Sequence, residues 1–212
     1  EHISLYALTI EEGTPMHRWA QEGKIPEPDP DLAADMYQYA RESLAAAGYH
    51  HYEISNWSLP GRGCDHNLVY WQNGPYLGVG PGAHSRLGNY RFWTVLSPRD
   101  YLSKTTAWAD ADVRPIAELI EPVLQTVSTV GGWEHISLET ACSETMFLGL
   151  RLLDGLDLSD ASTLMGVDLA KKYRTPIKEC IQLGLLEQSG TCLRLTEPAY
   201  LVANQAFTRF LE

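Results

Sequence analysis

A chain of 212 residues has room for one medium domain or two small ones. With 44% apolar and 20% charged residues it can build a core, which argues against disorder. The net charge of −11 argues against nucleic acid as a partner, because phosphate-driven binding needs a broadly basic surface. An anionic small ligand in a local basic pocket is still compatible with it.

No apolar run approaches the length of a membrane span, which takes about 18 residues or more, and no signal peptide is evident. Cys64, Cys142, Cys180 and Cys192 are too far apart in sequence for a compact metal motif. They read as free thiols, which fits a cytoplasmic location. The chain opens Glu-His-Ile-Ser-Leu-Tyr without a Met and already in a strand pattern, so a piece of a longer protein is expected.

Ile3 to Ile10 is a β-branched and aromatic run that predicts a strand. A short helix is expected over Pro15 to Gln21. Three prolines at 26, 28 and 30 make the next stretch extended. A helix follows from about Leu32 to Ala47, capped by Asp31 and closed by Gly48, with Leu32, Met36, Tyr39, Ala40 and Leu44 at helical spacing. Tyr49 to Ser55 predicts a second strand. Strand, helix and strand in succession suggest a parallel β/α unit.

Asn56 to Asn67 reads as a loop, Tyr76 to Val79 as a short strand before the Gly80-Pro81-Gly82 turn, and Arg91 to Val95 as another strand. Ser97 and Pro98 are the cap and first residue of a helix. Residues 105–137 have few charges, end in what looks like a Gly-Gly turn, and are expected to connect two parts. A helix is expected over Leu138 to Leu153. A short helix capped by Asp157 or Ser159 comes next. Val167 to Leu183 predicts a longer helix interrupted by Pro176. Gln188 to Thr191 is the turn of a hairpin, and Ala199 to Leu211 a closing helix. Helices with one hairpin are the ingredients of a winged-helix-like module. Residues 138–212 contain seven Lys or Arg against ten Asp or Glu, so this module lacks the basic balance of a nucleic-acid reader.

The densest chemistry lies between His66 and Ser85, which holds three aromatic rings and four glycines. His66, beside Tyr70 and Trp71, suits an axial heme ligand in an aromatic pocket. A loop histidine bonded to backbone, with its aromatic neighbours in the core, fits the same residues. Gly78-Val-Gly-Pro-Gly-Ala-His-Ser85 fits a backbone that approaches a cofactor at the rim of parallel strands. It fits a tightly packed turn equally well. Glu11 and Glu12, at the end of the first strand, suit catalysis or ribose hydroxyls at a barrel rim, but such a pair is more often a solvated loop face. His50, His51 and Glu53 have no partners that would make them a metal site.

Several segments together carry a resemblance. They are Glu-His-Ile-Ser-Leu-Tyr-Ala-Leu-Thr-Ile-Glu-Glu-Gly-Thr-Pro (1–15), Leu-Ala-Ala-Asp-Met-Tyr (32–37), Tyr-Glu-Ile-Ser-Asn-Trp (52–57), the stretch 66–85, and Phe-Leu-Gly-Leu-Arg-Leu (147–152). They resemble the radical-SAM proteins related to oxygen-independent coproporphyrinogen III oxidase. His-Asn-Leu-Val-Tyr-Trp is closer to the branch of HemW-type heme chaperones than to the oxidase.

The resemblance implies an α/β fold: the C-terminal part of a radical-SAM (β/α) barrel over 1–104, a connecting segment over 105–137, and a HemN-type winged-helix-like domain over 138–212. It implies a role in porphyrin and heme metabolism, with heme or porphyrin and heme-acceptor proteins as partners. His66, Asn67, Tyr70 and Trp71 correspond to the heme motif, with His66 the candidate iron ligand. Ala7 corresponds to a residue that contacts S-adenosylmethionine. His84 falls where the oxidase has an apolar residue with that contact. The family's cluster cysteines, spaced C-x3-C-x2-C, have no counterpart in this sequence. The [4Fe-4S] cluster and S-adenosylmethionine are therefore expected in a longer parent, and the chain alone is expected to be inactive. The alternatives are a coproporphyrinogen III oxidase and a non-catalytic interaction module. An exposed half-barrel edge would also favour a homodimer.

Overall fold

The computed structural model describes residues 1–106 and 121–211. Residues 107–120 of the expected connecting segment lie outside the described residues. The fold is α/β, and among the described residues there are three small sheets, each of three strands.

The first sheet joins β1 (His2–Ser4), β2 (His50–Glu53) and β3 (Asn56–Ser58) in the order β1-β3-β2. Both outer strands run antiparallel to β3. β1 and β2 therefore share a direction, as a β/α unit requires, but β3 lies between them and takes their hydrogen bonds. The expected parallel pairing is thus replaced by two antiparallel ones. A two-residue turn at Ile54 and Ser55 brings β3 back beside β2 before any helical crossover intervenes. The strand expected over Ile3 to Ile10 shrinks to β1, and only Leu5 beyond it bonds across, to the Ser55 carbonyl.

Helix α1 (Pro15–Gln21) lies where it was expected, capped by Thr14. Helix α2 (Pro30–Ala46) begins two residues early, because the Asp29 side chain, not Asp31, accepts from the amides of Asp31 and Leu32. Pro30 then occupies the first helical position, where its missing N–H costs nothing. The stretch 56–67 is not one loop. It contains β3 and the start of α3 (Asp65–Trp71).

The second sheet is β4 (His84–Leu87), β5 (Tyr90–Thr94) and β6 (Val130–His135), all antiparallel. Tyr76 makes a single bridge to Arg86 in place of the expected strand. Gly131 and Gly132, read as a turn, sit inside β6. A Cβ on Gly132 would stand 2.5 Å from the Trp93 ring, so the glycine lets β6 pass close to that indole. Helix α4 (Pro98–Thr105) has the expected Ser97 cap, and α5 (Glu121–Thr126) precedes β6.

The third sheet, β7 (Leu156–Asp157), β9 (Cys192–Leu195) and β8 (Leu186–Ser189), belongs to the winged-helix-like part. Around it lie α6 (Leu138–Gly149), α7 (Leu158–Met165), α8 (Leu169–Lys172) and α9 (Arg174–Gln182). Asp157 caps α7, and Gly166 ends it in the left-handed region at φ 65°. The expected long helix is split at Tyr173, so Pro176 falls in the first turn of α9, where it is tolerated. The closing helix is instead a 3-10 turn (Glu197–Val202), α10 (Asn204–Phe207) and a second 3-10 turn.

The main core lies in this part. Met146, Leu150, Leu169, Leu193 and Phe210 are almost fully buried in it. Each such side chain contributes about 1.5–3 kcal/mol relative to exposure. No described helix is long and apolar enough to cross a membrane.

Candidate functional site

Helix α3 carries His-Asn-Leu-Val-Tyr-Trp. Residues four apart share a helical face, and the next pair is turned by about a quarter of the circumference. His66 and Tyr70 therefore form one pair, Asn67 and Trp71 another. The structure gives the two pairs different jobs.

His66 is exposed. Its Nε2 lies 3.0 Å from the Tyr70 hydroxyl, and the two rings meet edge to face with centroids 4.9 Å apart. Tyr76 packs on Tyr70 at 4.5 Å. An imidazole with two aromatic neighbours thus stands on an open face.

Asn67 and Trp71 engage the rest of the fold instead. The Asn67 side chain stands near the Tyr52 hydroxyl and favours its ionised form electrostatically, and that hydroxyl lies 2.8 Å from His2 Nε2. Burial raises the Tyr52 phenol above its ordinary range. Trp71 lies under the Arg151 guanidinium, whose carbon is 4.3 Å from the ring centroid. Arg151 reaches Glu53 Oε2 at 3.4 Å. Neither Arg151 nor Tyr52 was singled out from the sequence. Arg151 left a signal, as the one cation in the apolar run Phe147 to Leu153.

The glycine-rich tract presses against its own sheet. A Cβ on Gly78 would stand 2.2 Å from the His84 carbonyl oxygen. The Gly78 amide donates to Ser85 Oγ at 3.0 Å, and the Gly80 amide to the Tyr101 hydroxyl at 3.2 Å. Gly80 and Gly82 have φ of 109° and 70°, which glycine alone adopts readily. The packing alternative accounts for these glycines.

Ala7 lies on the wall of a cavity of about 460 Å³ with Leu5, Tyr6, Leu8, Leu32 and Met36. His84, on β4, is exposed and tilted against Trp93 at 5.7 Å. His84 does not line the cavity that holds Ala7. The two candidate S-adenosylmethionine contacts thus do not share one cavity here; the wall around Ala7 is mostly apolar, with Asp29 and Tyr37 as its polar members. Among the described residues no group of three or more His, Cys, Asp or Glu could hold a metal. Glu11 and Glu12 are exposed, and His51 stacks flat on Trp57 at 4.0 Å.

With this geometry in place, the chain can be set beside known proteins. Residues 136–202 match the HemN C-terminal domain. The chain thus carries a domain of that description and is similar along nearly its whole length to HemW proteins. The heme chaperone HemW of Mycobacterium tuberculosis is 34% identical over 204 residues, covering 96% of this chain and 46% of that protein. HemW of Bacillus subtilis is 30% identical over 211 residues, covering 100% and 51%. The mouse protein "Radical S-adenosyl methionine domain-containing protein 1, mitochondrial" is 54% identical over 136 residues, covering 58% and 31%. The chain spans about half the length of the HemW relatives it matches. In structure it is similar to the coproporphyrinogen III oxidase HemN of Escherichia coli, with a TM-score of 0.60 over 90% of this chain and 44% of that one. At 15% identity this likeness is one of fold.

Proposed function

We propose that the protein containing this chain is a heme chaperone, which takes up heme as cargo and passes it to acceptor proteins. The observation that carries the reading is the exposed His66 on α3, paired with the half-buried Tyr70, in a chain whose relatives include proteins named heme chaperone HemW. His66 supplies the imidazole ligand to iron. In the heme-free chain the Tyr70 hydroxyl holds Nε2, so ligation through that nitrogen has to displace it. Tyr70 and Tyr76 offer aromatic surface beside the ligand. Trp71 acts through position, by fastening α3 to Arg151, with Asn67 beside Tyr52. An open site with one protein ligand holds cargo less firmly than a closed pocket, which suits transfer.

S-adenosylmethionine and a [4Fe-4S] cluster belong to this reading through the family, and no step is derived through them, because Ala7 and His84 do not converge. The four cysteines form no disulfide, in keeping with a cytoplasmic setting. The chain has two functional parts in this reading: the HemN-type domain from about residue 138, and the part before it, which also takes in β6 because β6 pairs with β5.

The test is heme titration of the full-length protein and of a His66→Ala variant. The variant is expected to lose affinity and to shift the Soret band. Equal affinity with an unchanged band would sink His66 as the ligand.

A further inference from the structure

Helix α3 has seven residues and no side-chain N-cap. A helix this short is not stable by itself in water, so what holds it decides where His66 stands. The fastenings come from far along the chain. At its C-terminal end Trp71 lies under Arg151, which follows α6. Arg151 is anchored in turn by Glu53, which is fully buried and also accepts from the Ser55 amide at 3.0 Å and from Asn56 Nδ2.

Just beyond the helix, Asn73 is buried and adopts a left-handed conformation at φ 54°. Its Nδ2 donates to Thr145 Oγ1 at 3.0 Å and to the Ala141 carbonyl at 3.3 Å, both on α6. Arg86 of β4 donates to the Asn73 carbonyl. Ala141, Thr145 and Arg151 all lie inside the HemN C-terminal domain. The domain thus grips the end of α3 at two points, while another face of the helix keeps His66 exposed with Tyr70 half-buried beside it.

We propose that Arg151 and Asn73 are positioning residues through which the HemN C-terminal domain sets the His66–Tyr70 face. The heme site and the C-terminal domain are then coupled. Whatever changes one fastening changes ligation at His66. By linkage, heme at His66 changes what the domain presents to an acceptor by the same factor. The inference rests on the heme reading above.

The test uses the full-length protein with Arg151→Gln and Arg151→Lys. In the heme-free protein, the α3 amides of Arg151→Gln are expected to exchange about tenfold faster than wild type. With heme, the same variant is expected to show a shifted Soret band and weaker binding. Arg151→Lys keeps the cation over Trp71 and is expected to restore part of both. If Arg151→Gln does not fold, Thr145→Val removes one of the two hydrogen bonds of the other fastening and is expected to give the same pair of effects at smaller size.

Unchanged α3 exchange in the folded variant overturns the coupling. So does faster exchange with wild-type heme affinity and spectrum, since Arg151 would then be structural only. If His66→Ala leaves heme binding unchanged, the heme reading fails and takes the coupling with it. That failure is told apart because the exchange measurement involves no heme.

Discussion

The Glu53 carboxylate is fully buried and meets the Arg151 guanidinium at 3.4 Å, joining the first sheet to the HemN-type domain. Two backbone links run beside it: the Leu153 amide donates to the Tyr52 carbonyl at 3.1 Å, and Glu53 bridges Leu152. A buried carboxylate is tolerable only when its lone pairs are used, and Ser55, Asn56 and Arg151 use them.

Glu53→Ala removes all three contacts and leaves Arg151 without its counter-charge. A loss of about 3 kcal/mol in unfolding free energy is expected. Glu53→Gln keeps the shape and part of the bonding and should lose less. Urea denaturation of the two variants against wild type measures the difference.

Stability should depend on pH through His51. Burial against Trp57 lowers its pKa from 6.5 to about 4. Between those values the unfolded chain binds the proton and the folded one does not. The contribution is therefore present above about 6.5 and is lost as pH falls towards 4. Discounted for the partial exposure of the ring, it amounts to no more than about 2 kcal/mol. His51→Phe keeps a ring on Trp57 and should flatten the acid limb of a stability–pH curve. An unchanged limb would rule His51 out as its source.

Gly155 has φ +93°, and a Cβ there would stand 2.7 Å from the Leu193 carbonyl oxygen and 2.8 Å from Cys192 Sγ. Gly155→Ala should combine backbone strain with a clash against β9, at a cost of about 2–3 kcal/mol. A lowered melting temperature, with wild-type secondary structure at low temperature, is the expected calorimetric and circular-dichroism result.

Tyr70→Phe keeps the ring contacts with His66 and Tyr76 but removes the hydroxyl that occupies His66 Nε2. Losing a competing hydrogen bond worth about 0.5–1.5 kcal/mol should tighten heme binding a few-fold. Weaker binding would instead make Tyr70 a support for the ligand. Heme titration of this variant beside His66→Ala decides between them.

Much of the fold could be read from local chemistry. The Ser97 cap with Pro98, the Asp157 cap, and the hairpin turn around Gly190 are each written into a few adjacent residues. Other elements depended on distant partners. Gly131 and Gly132 look like a turn until β5 lies beside them with Trp93 over Gly132. Ile3 to Ile10 has strand chemistry, but only its first residues find β3.

The candidate site divides in the same way. By itself the sequence determined the resemblance, through His-Asn-Leu-Val-Tyr-Trp and its neighbours in order, and it pointed to His66. It could not say that the motif has two faces, because α3 starts inside the stretch expected as a loop and has no side-chain N-cap to announce it. Only the tertiary structure decided which pair is open and which is held. Arg151, 80 residues after Trp71, covers that indole, and Tyr52, 15 residues before Asn67, stands beside that side chain. A helix has no inside until something packs against it, and the rotation this packing imposes leaves His66 exposed with Tyr70 half-buried beside it.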